Sequence, residues 1–176
     1  MGYGKRAHRP TLFDSLESRE LLSLAAKPAL EVRSVHQTIV LGTITGTFQA
    51  QGVVSSFGEA YALSGRGSVS GLGPVALQGV AQQFPVHGLF TILDVSASLS
   101  TARRGGINVT FGGEGEAGPR PEVFPYRGMA GSVVGGTGHF AQAEGTVTAN
   151  ITLSSKVPGF TSGHFTLAIK IRLTTA

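Results

Sequence analysis

Asp94 is the one acidic residue inside a strongly apolar stretch, Leu89-Phe-Thr-Ile-Leu-Asp-Val95. In an extended chain it shares a face with Phe90 and Ile92, opposite Leu89, Leu93 and Val95. If that face lines an interior, burial would raise the carboxyl pKa and make Asp94 a candidate catalytic general acid or ligand-orienting group. If the face is exterior, Asp94 is a solvated strand carboxylate, and a lone carboxylate without an identified partner favours this second reading. Tyr61, Arg66, Phe90, Tyr126 and Arg127 are the candidate ligand-binding residues of a cavity, although aromatic packing and surface charge explain them equally well. The five histidines show none of the paired spacings that metal sites use, so no metal is expected. With no cysteine, thiolate nucleophiles, disulfides and cysteine-based metal centres are excluded. Gly113-Glu-Gly-Glu-Ala-Gly118 has the form GxGxxG, but Pro119 and Pro121 stand where a helix would begin and two glutamates would repel a pyrophosphate, so it reads as a loop. Neither a GxSxG elbow nor a P-loop is present, and no cofactor is implied. The strings Asn108-Val-Thr110 and Asn150-Ile-Thr152 are sequons with meaning only in a glycosylating host.

The elements that would position these groups are strands. From residue 36 onward the side chains alternate with a period of two. Phe165, Leu167, Ile169, Ile171 and Leu173 alternate with His164, Thr166, Ala168, Lys170 and Arg172, and Val147 to Leu153 repeats the pattern. Six further strands are expected over 38–49, 61–70, 75–82, 89–99, 107–111 and 123–134, separated mostly by glycine-containing breaks. Short turn strings such as Gly71-Leu-Gly-Pro74 and Arg103-Arg-Gly-Gly106 imply antiparallel neighbours, and no connection is long enough for a crossover helix. About eight antiparallel strands either form a two-sheet sandwich or close on themselves. Closure removes exposed edges, and the many glycines suit a tightly coiled sheet. The expectation is therefore all-β, an approximately eight-stranded antiparallel closed barrel, with a two-sheet β-sandwich as the alternative.

A chain of 176 residues favours one such domain, here 34–176. Residues 1–33 differ from it in composition, carrying six of the fourteen Lys/Arg and four of the ten Asp/Glu. Leu12, Phe13, Leu16, Leu21 and Leu24 recur at roughly helical spacing behind a Thr11/Asp14 cap, so a short amphipathic helix or an unstructured leader is expected. Without this segment the balance is near neutral, with no cationic stripe interleaved with aromatics, and no nucleic-acid partner is expected. No apolar run approaches the about 18 residues of a membrane-spanning helix.

Two stretches resemble known families. Ser132-Val-Val-Gly-Gly-Thr-Gly-His-Phe-Ala-Gln-Ala-Glu-Gly-Thr146 is turn chemistry first: Gly135, Gly136 and Gly138 can adopt positive φ, Thr137 can bond the turn backbone, and Phe140 can swing back to plug a barrel end. It resembles the GGTGxFxxAxG signature of the allene oxide cyclase and dirigent families, matching at Gly135, Gly136, Thr137, Gly138, Phe140, Ala143 and Gly145. The resemblance implies a small eight-stranded barrel, but no upstream motif carries over those families' functional residues. Phe13 to Ser23 resembles the LEPRxLL element near the start of many exported or surface planctomycete proteins, with Ser18 where that motif often has Pro. This second resemblance implies an exported, envelope or extracellular destination.

Two functions remain open. One is a non-enzymatic exported barrel module, with its lumen filled by side chains or holding a small apolar ligand. The other is a cofactor-independent cyclase or isomerase of the allene oxide cyclase or dirigent type, acting on an apolar substrate. A lumen pocket of roughly 300 Å³ or more, with Asp94 and a Tyr or Arg converging on it, would favour the second. Exposed aliphatic strand faces would permit a homo-oligomer without fixing its stoichiometry.

Overall fold

Val, Ile, Thr and Phe at alternating positions favour extended backbone, and the side chains of one parity are apolar along most of each strand. A computed structural model describes residues 35–55, 58–86, 90–116, 120, 122–157 and 159–175, leaving aside the side chains of 51–55 and 90. The leader Met1–Arg33, with its helix and its LEPRxLL-like string, lies outside the described residues, as do Leu89 and the side chain of Phe90. Eight strands follow in order: β1 (His36–Ser55), β2 (Gly58–Val69), β3 (Gly73–Pro85), β4 (Phe90–Thr101), β5 (Gly105–Glu116), β6 (Val123–Gly136), β7 (Glu144–Ser154) and β8 (Ser162–Thr175). Each pairs antiparallel with the next, and β1 pairs antiparallel with β8, giving a closed barrel. The only helical element among the described residues is a single 3-10 turn, Gly138–Phe140. Among these residues no helix is long and apolar enough to cross a membrane.

The core is the lumen. Phe165, Leu167, Ile169, Ile171 and Leu173 all point inward and are buried, together with Val147, Ala149, Ile151 and Leu153 from β7 and Val40, Ile44 and Phe48 from β1. An eight-stranded barrel is just wide enough for side chains to fill it, so rings need room where strands come close. Gly46 on β1 faces Gly65 on β2 and Phe165 on β8. A Cβ at Gly46 would stand 2.7 Å from the Phe165 ring, and one at Gly65 2.8 Å from it. The ring thus occupies the space of two absent side chains. Gly163 does the same for Phe48, at 2.8 Å.

Most strands run a few residues beyond the expected bounds, and β1 and β5 run furthest, to Ser55 and Glu116. Residues 113–116, expected in a loop, continue β5. The reason is packing: Gly113 and Gly115 face inward, and Cβ atoms there would come within 2.6 Å of Met129 and 2.5 Å of the Tyr126 ring. Glycine at these positions lets β6 lay its large side chains against β5.

At one end of the barrel the turns are tight. Residues 137–143 join β6 to β7 there. Thr137 Oγ1 accepts from the Gly106 amide at 2.9 Å, and the Thr137 amide donates to the Gly106 carbonyl at 2.8 Å. Gly105 must be glycine, with φ +91° and an added Cβ only 2.0 Å from the Thr137 carbonyl oxygen. Phe140 then packs, half-buried, on the edge of the core, and Ala143 is buried. The opposite end, where β1–β2, β3–β4, β5–β6 and β7–β8 connect, is the mouth.

Because Phe165 and Gly65 share one slot, their substitutions should couple. Phe165→Ala is expected to cost about 3–5 kcal/mol, and Gly65→Ala about 1–3 kcal/mol by overpacking. In the Phe165→Ala background the Gly65→Ala cost should shrink measurably in urea unfolding, whereas strictly additive losses would contradict the shared slot.

Candidate functional site

The lumen turns polar as the strands reach the mouth. Glu59 and Tyr61 from β2, Gln83 from β3, Thr91 from β4 and Tyr126 from β6 continue the inward parity of their strands and meet there. Tyr61 Oη lies 2.5 Å from Glu59 Oε2 and 2.5 Å from Gln83 Oε1. Gln83 Nε2 is 2.8 Å from Tyr126 Oη and 3.3 Å from Thr91 Oγ1. Thr91 Oγ1 and Tyr126 Oη are themselves 2.8 Å apart. One chain of hydrogen bonds therefore crosses the barrel through four strands.

Both phenols are fully buried, while Glu59, Gln83 and Thr91 are half-buried. Phe48 stacks edge-on against Tyr61, with centroids 5.2 Å apart, and fixes its ring. Burial pushes the Tyr61 hydroxyl well above the usual tyrosine range, and the hydrogen bond to Glu59 and the negative charge beside it add to the shift. Burial also raises Tyr126. Both groups accordingly remain neutral phenols, able to donate and accept hydrogen bonds but not to act as ready bases.

Of the residues singled out in the sequence, the structure brings Tyr61 and Tyr126 together and leaves Asp94, Arg66 and Arg127 outside; the side chain of Phe90 is not among those described. Asp94 is exposed on the outer wall, because Leu93 and Val95 are the inward residues of β4. It lines an exterior groove of about 480 Å³ with Gln82, Ser96, Thr110, Gly112 and Ala130, a set without Tyr or Arg. The carboxylate is therefore a solvated one rather than a group in the lumen. Arg66 is exposed, its parity opposite to that of Tyr61 and Leu63. Arg127 is exposed because it directly follows the inward Tyr126 and alternation turns it outward; the β6–β7 register shift between Tyr126 and Met129 is a bulge that leaves Gly128 outward as well. Asn150 anchors this bulge by accepting from the Gly128 amide at 2.8 Å. Glu59, Gln83 and Thr91 were missed. Their signal was strand parity: each extends an inward run, Leu77-x-Gly79-x-Ala81-x-Gln83 being the plainest. Among the described residues no group of His, Asp or Glu is placed to hold a metal ion.

The chain is similar to the pterocarpan synthase dirigent protein GePTS1 at 15% identity, over 83% of this chain and 88% of that one, with a TM-score of 0.51. The barrel is dirigent-like. The pterocarpan synthase dirigent protein PsPTS1 is also similar, at 16% identity over 80% of this chain and 95% of that one, with a TM-score of 0.46. No family model and no curated protein matches the chain. At such identities the likeness speaks for the fold alone, and the residues of the mouth must be read on their own chemistry.

The raised tyrosines set a pH dependence. In the unfolded chain a tyrosine loses its proton near pH 10, while in the folded barrel Tyr61 and Tyr126 hold theirs to higher pH. The folded state thus binds more protons above about pH 10, and stability falls as pH rises from there. Urea unfolding should show this decline in the wild type and a weaker one in Tyr61→Phe/Tyr126→Phe. An equal decline in both proteins would show that the two phenols titrate freely in the native state.

Proposed function

We propose that the protein is a non-enzymatic barrel module that holds a small, mainly apolar ligand at its mouth through one polar group of that ligand. The single observation that carries this reading is the Tyr61–Gln83–Tyr126 chain. It is a polar network on an otherwise apolar inner wall, with half-buried Thr91 and Glu59 at its ends. Apolar walls with a few convergent polar groups are the usual make-up of a small-molecule site. The filled lumen below the network favours holding over turnover. Its glycine slots are occupied by Phe165, Phe48, Met129 and Tyr126, so a substrate would find little room deeper in the barrel.

The proposed place of action is outside the cytoplasm, supported by the LEPRxLL-like string at 13–23. Fusing residues 1–33 to a reporter in a planctomycete host should move the reporter to the envelope or medium. Cytoplasmic retention would remove the export part of the reading and leave the binding part intact.

The binding part is tested by thermal shift with small bicyclic probes that carry a single hydrogen-bonding group. A probe at 100 times its Kd should stabilise the wild type by about 2.7 kcal/mol, and Tyr126→Phe, which removes one link of the chain, should weaken that effect. Stabilisation of neither protein by any probe would overturn the proposal. Stabilisation lost in Asp94→Asn but kept in Tyr126→Phe would move the site to the outer wall.

A further inference from the structure

The hydrogen bonds at the mouth cannot all be made as donors and acceptors with a carboxylate at Glu59. Tyr61 has one hydroxyl proton, yet its oxygen lies 2.5 Å from two atoms, Glu59 Oε2 and Gln83 Oε1. A carboxylate and an amide oxygen are both acceptors, and only one of them can receive that proton in full. A side-chain amide can be turned end for end with no other heavy atom moving, and this freedom offers two consistent arrangements.

In the first, Glu59 is a carboxylate and takes the Tyr61 proton. The Gln83 group beside Tyr61 must then be the NH2, donating to the phenol oxygen, and its carbonyl faces Tyr126. Tyr126 donates to that carbonyl, and Thr91 donates to Tyr126. Thr91 then has only lone pairs left to offer. In the second, Glu59 supplies no acceptor. Tyr61 donates to the Gln83 carbonyl, and the Gln83 NH2 donates to Tyr126 at 2.8 Å and Thr91 at 3.3 Å. The buried Tyr126 proton can then be satisfied only by Thr91, 2.8 Å away. Thr91 accepts twice and keeps its own proton to give. Thr91 is the half-buried end of the chain, and Tyr126 is fully buried, so the difference is presented at Thr91.

We infer that Glu59 is a specificity-determining residue of the mouth: through Tyr61 and Gln83 its carboxylate fixes the direction of the hydrogen-bond chain and makes Thr91 an acceptor, selecting ligands that carry a donor. Removing the carboxylate reverses the chain and makes Thr91 a donor. The ligand consequence rests on the binding reading above, but the reversal does not.

The test uses the full chain, wild type against Glu59→Ala, with Glu59→Met as a second variant that fills more of the same space. Nuclear Overhauser contacts from the Gln83 side-chain NH2 should run to the Tyr61 ring in the wild type and to the Tyr126 ring and Thr91 in the variants. The same contacts in all three proteins would overturn the inference. In parallel, indole, which has only an N–H donor, should bind the wild type better than 1-indanone, which has only a carbonyl acceptor. The ratio of their affinities should shift by about tenfold in the variants, the equivalent of 1.4 kcal/mol. An unchanged ratio with both probes bound would contradict the inference. A turned amide with neither probe bound would uphold the reversal and instead overturn the binding reading.

Discussion

An unbroken register from His36↔Thr175 to Gln49↔Ser162 joins the first strand of the barrel to the last. Everything else depends on this closure. It leaves the sheet without a free edge, satisfies the backbone groups that an open sheet would expose, and forces the inner side chains of eight strands into one narrow lumen. In such a space large residues are admitted only where neighbours give way. The slots at Gly46 and Gly65 under Phe165, at Gly163 under Phe48 and at Gly115 under Tyr126 are the molecular record of that constraint. Glycine here serves less for backbone freedom than for the volume it does not occupy.

The same geometry concentrates polarity. Along most of each strand an inward polar group would be buried without a partner, so inner positions are aliphatic, aromatic or glycine. Near the mouth the lumen meets partly accessible space, and Glu59, Gln83 and Thr91 follow directly on the apolar ladders of their strands. Their side chains satisfy the two buried phenols, and among the described residues no buried side-chain polar atom is left without a hydrogen bond. The network therefore ties β2, β3, β4 and β6 together at one end of the barrel. It also provides a set of directional groups on the inner wall.

The ladder from Phe165 to Leu173 and its neighbour from Val147 to Leu153 were legible in the sequence because strict alternation admits one structural meaning, and so were the eight strands and their antiparallel order. The site was less legible for physical reasons that can be named. Asp94 drew attention as a carboxylate among apolar residues; the alternation of Leu93, Val95, Ala97 and Leu99 with Asp94, Ser96, Ser98 and Ser100 marks its face as the outer one, a pattern obscured by Phe90 and Ile92 on that same face. Arg127 directly follows Tyr126, so the two cannot share the inner face of one strand, and the register shift between Tyr126 and Met129 leaves no mark in the local pattern. Gly113 and Gly115 read as a loop because their partners, Met129 and Tyr126, lie far away in the chain. Gln83 and Thr91 have no chemistry of their own to announce; they matter through partners on other strands. The dirigent-like fold, for its part, fixes the scaffold without fixing what these residues bind.

Closure holds the whole barrel together, and native-state amide hydrogen exchange probes that closure strand by strand. If β1 and β8 are paired along their full register, their mutually bonded amides should exchange only through global unfolding, with the same free energy as those in β3 and β4. Exchange from β1 and β8 by low-energy local opening, while the central strands stay protected, would show an open sheet with two frayed edges and would contradict the account.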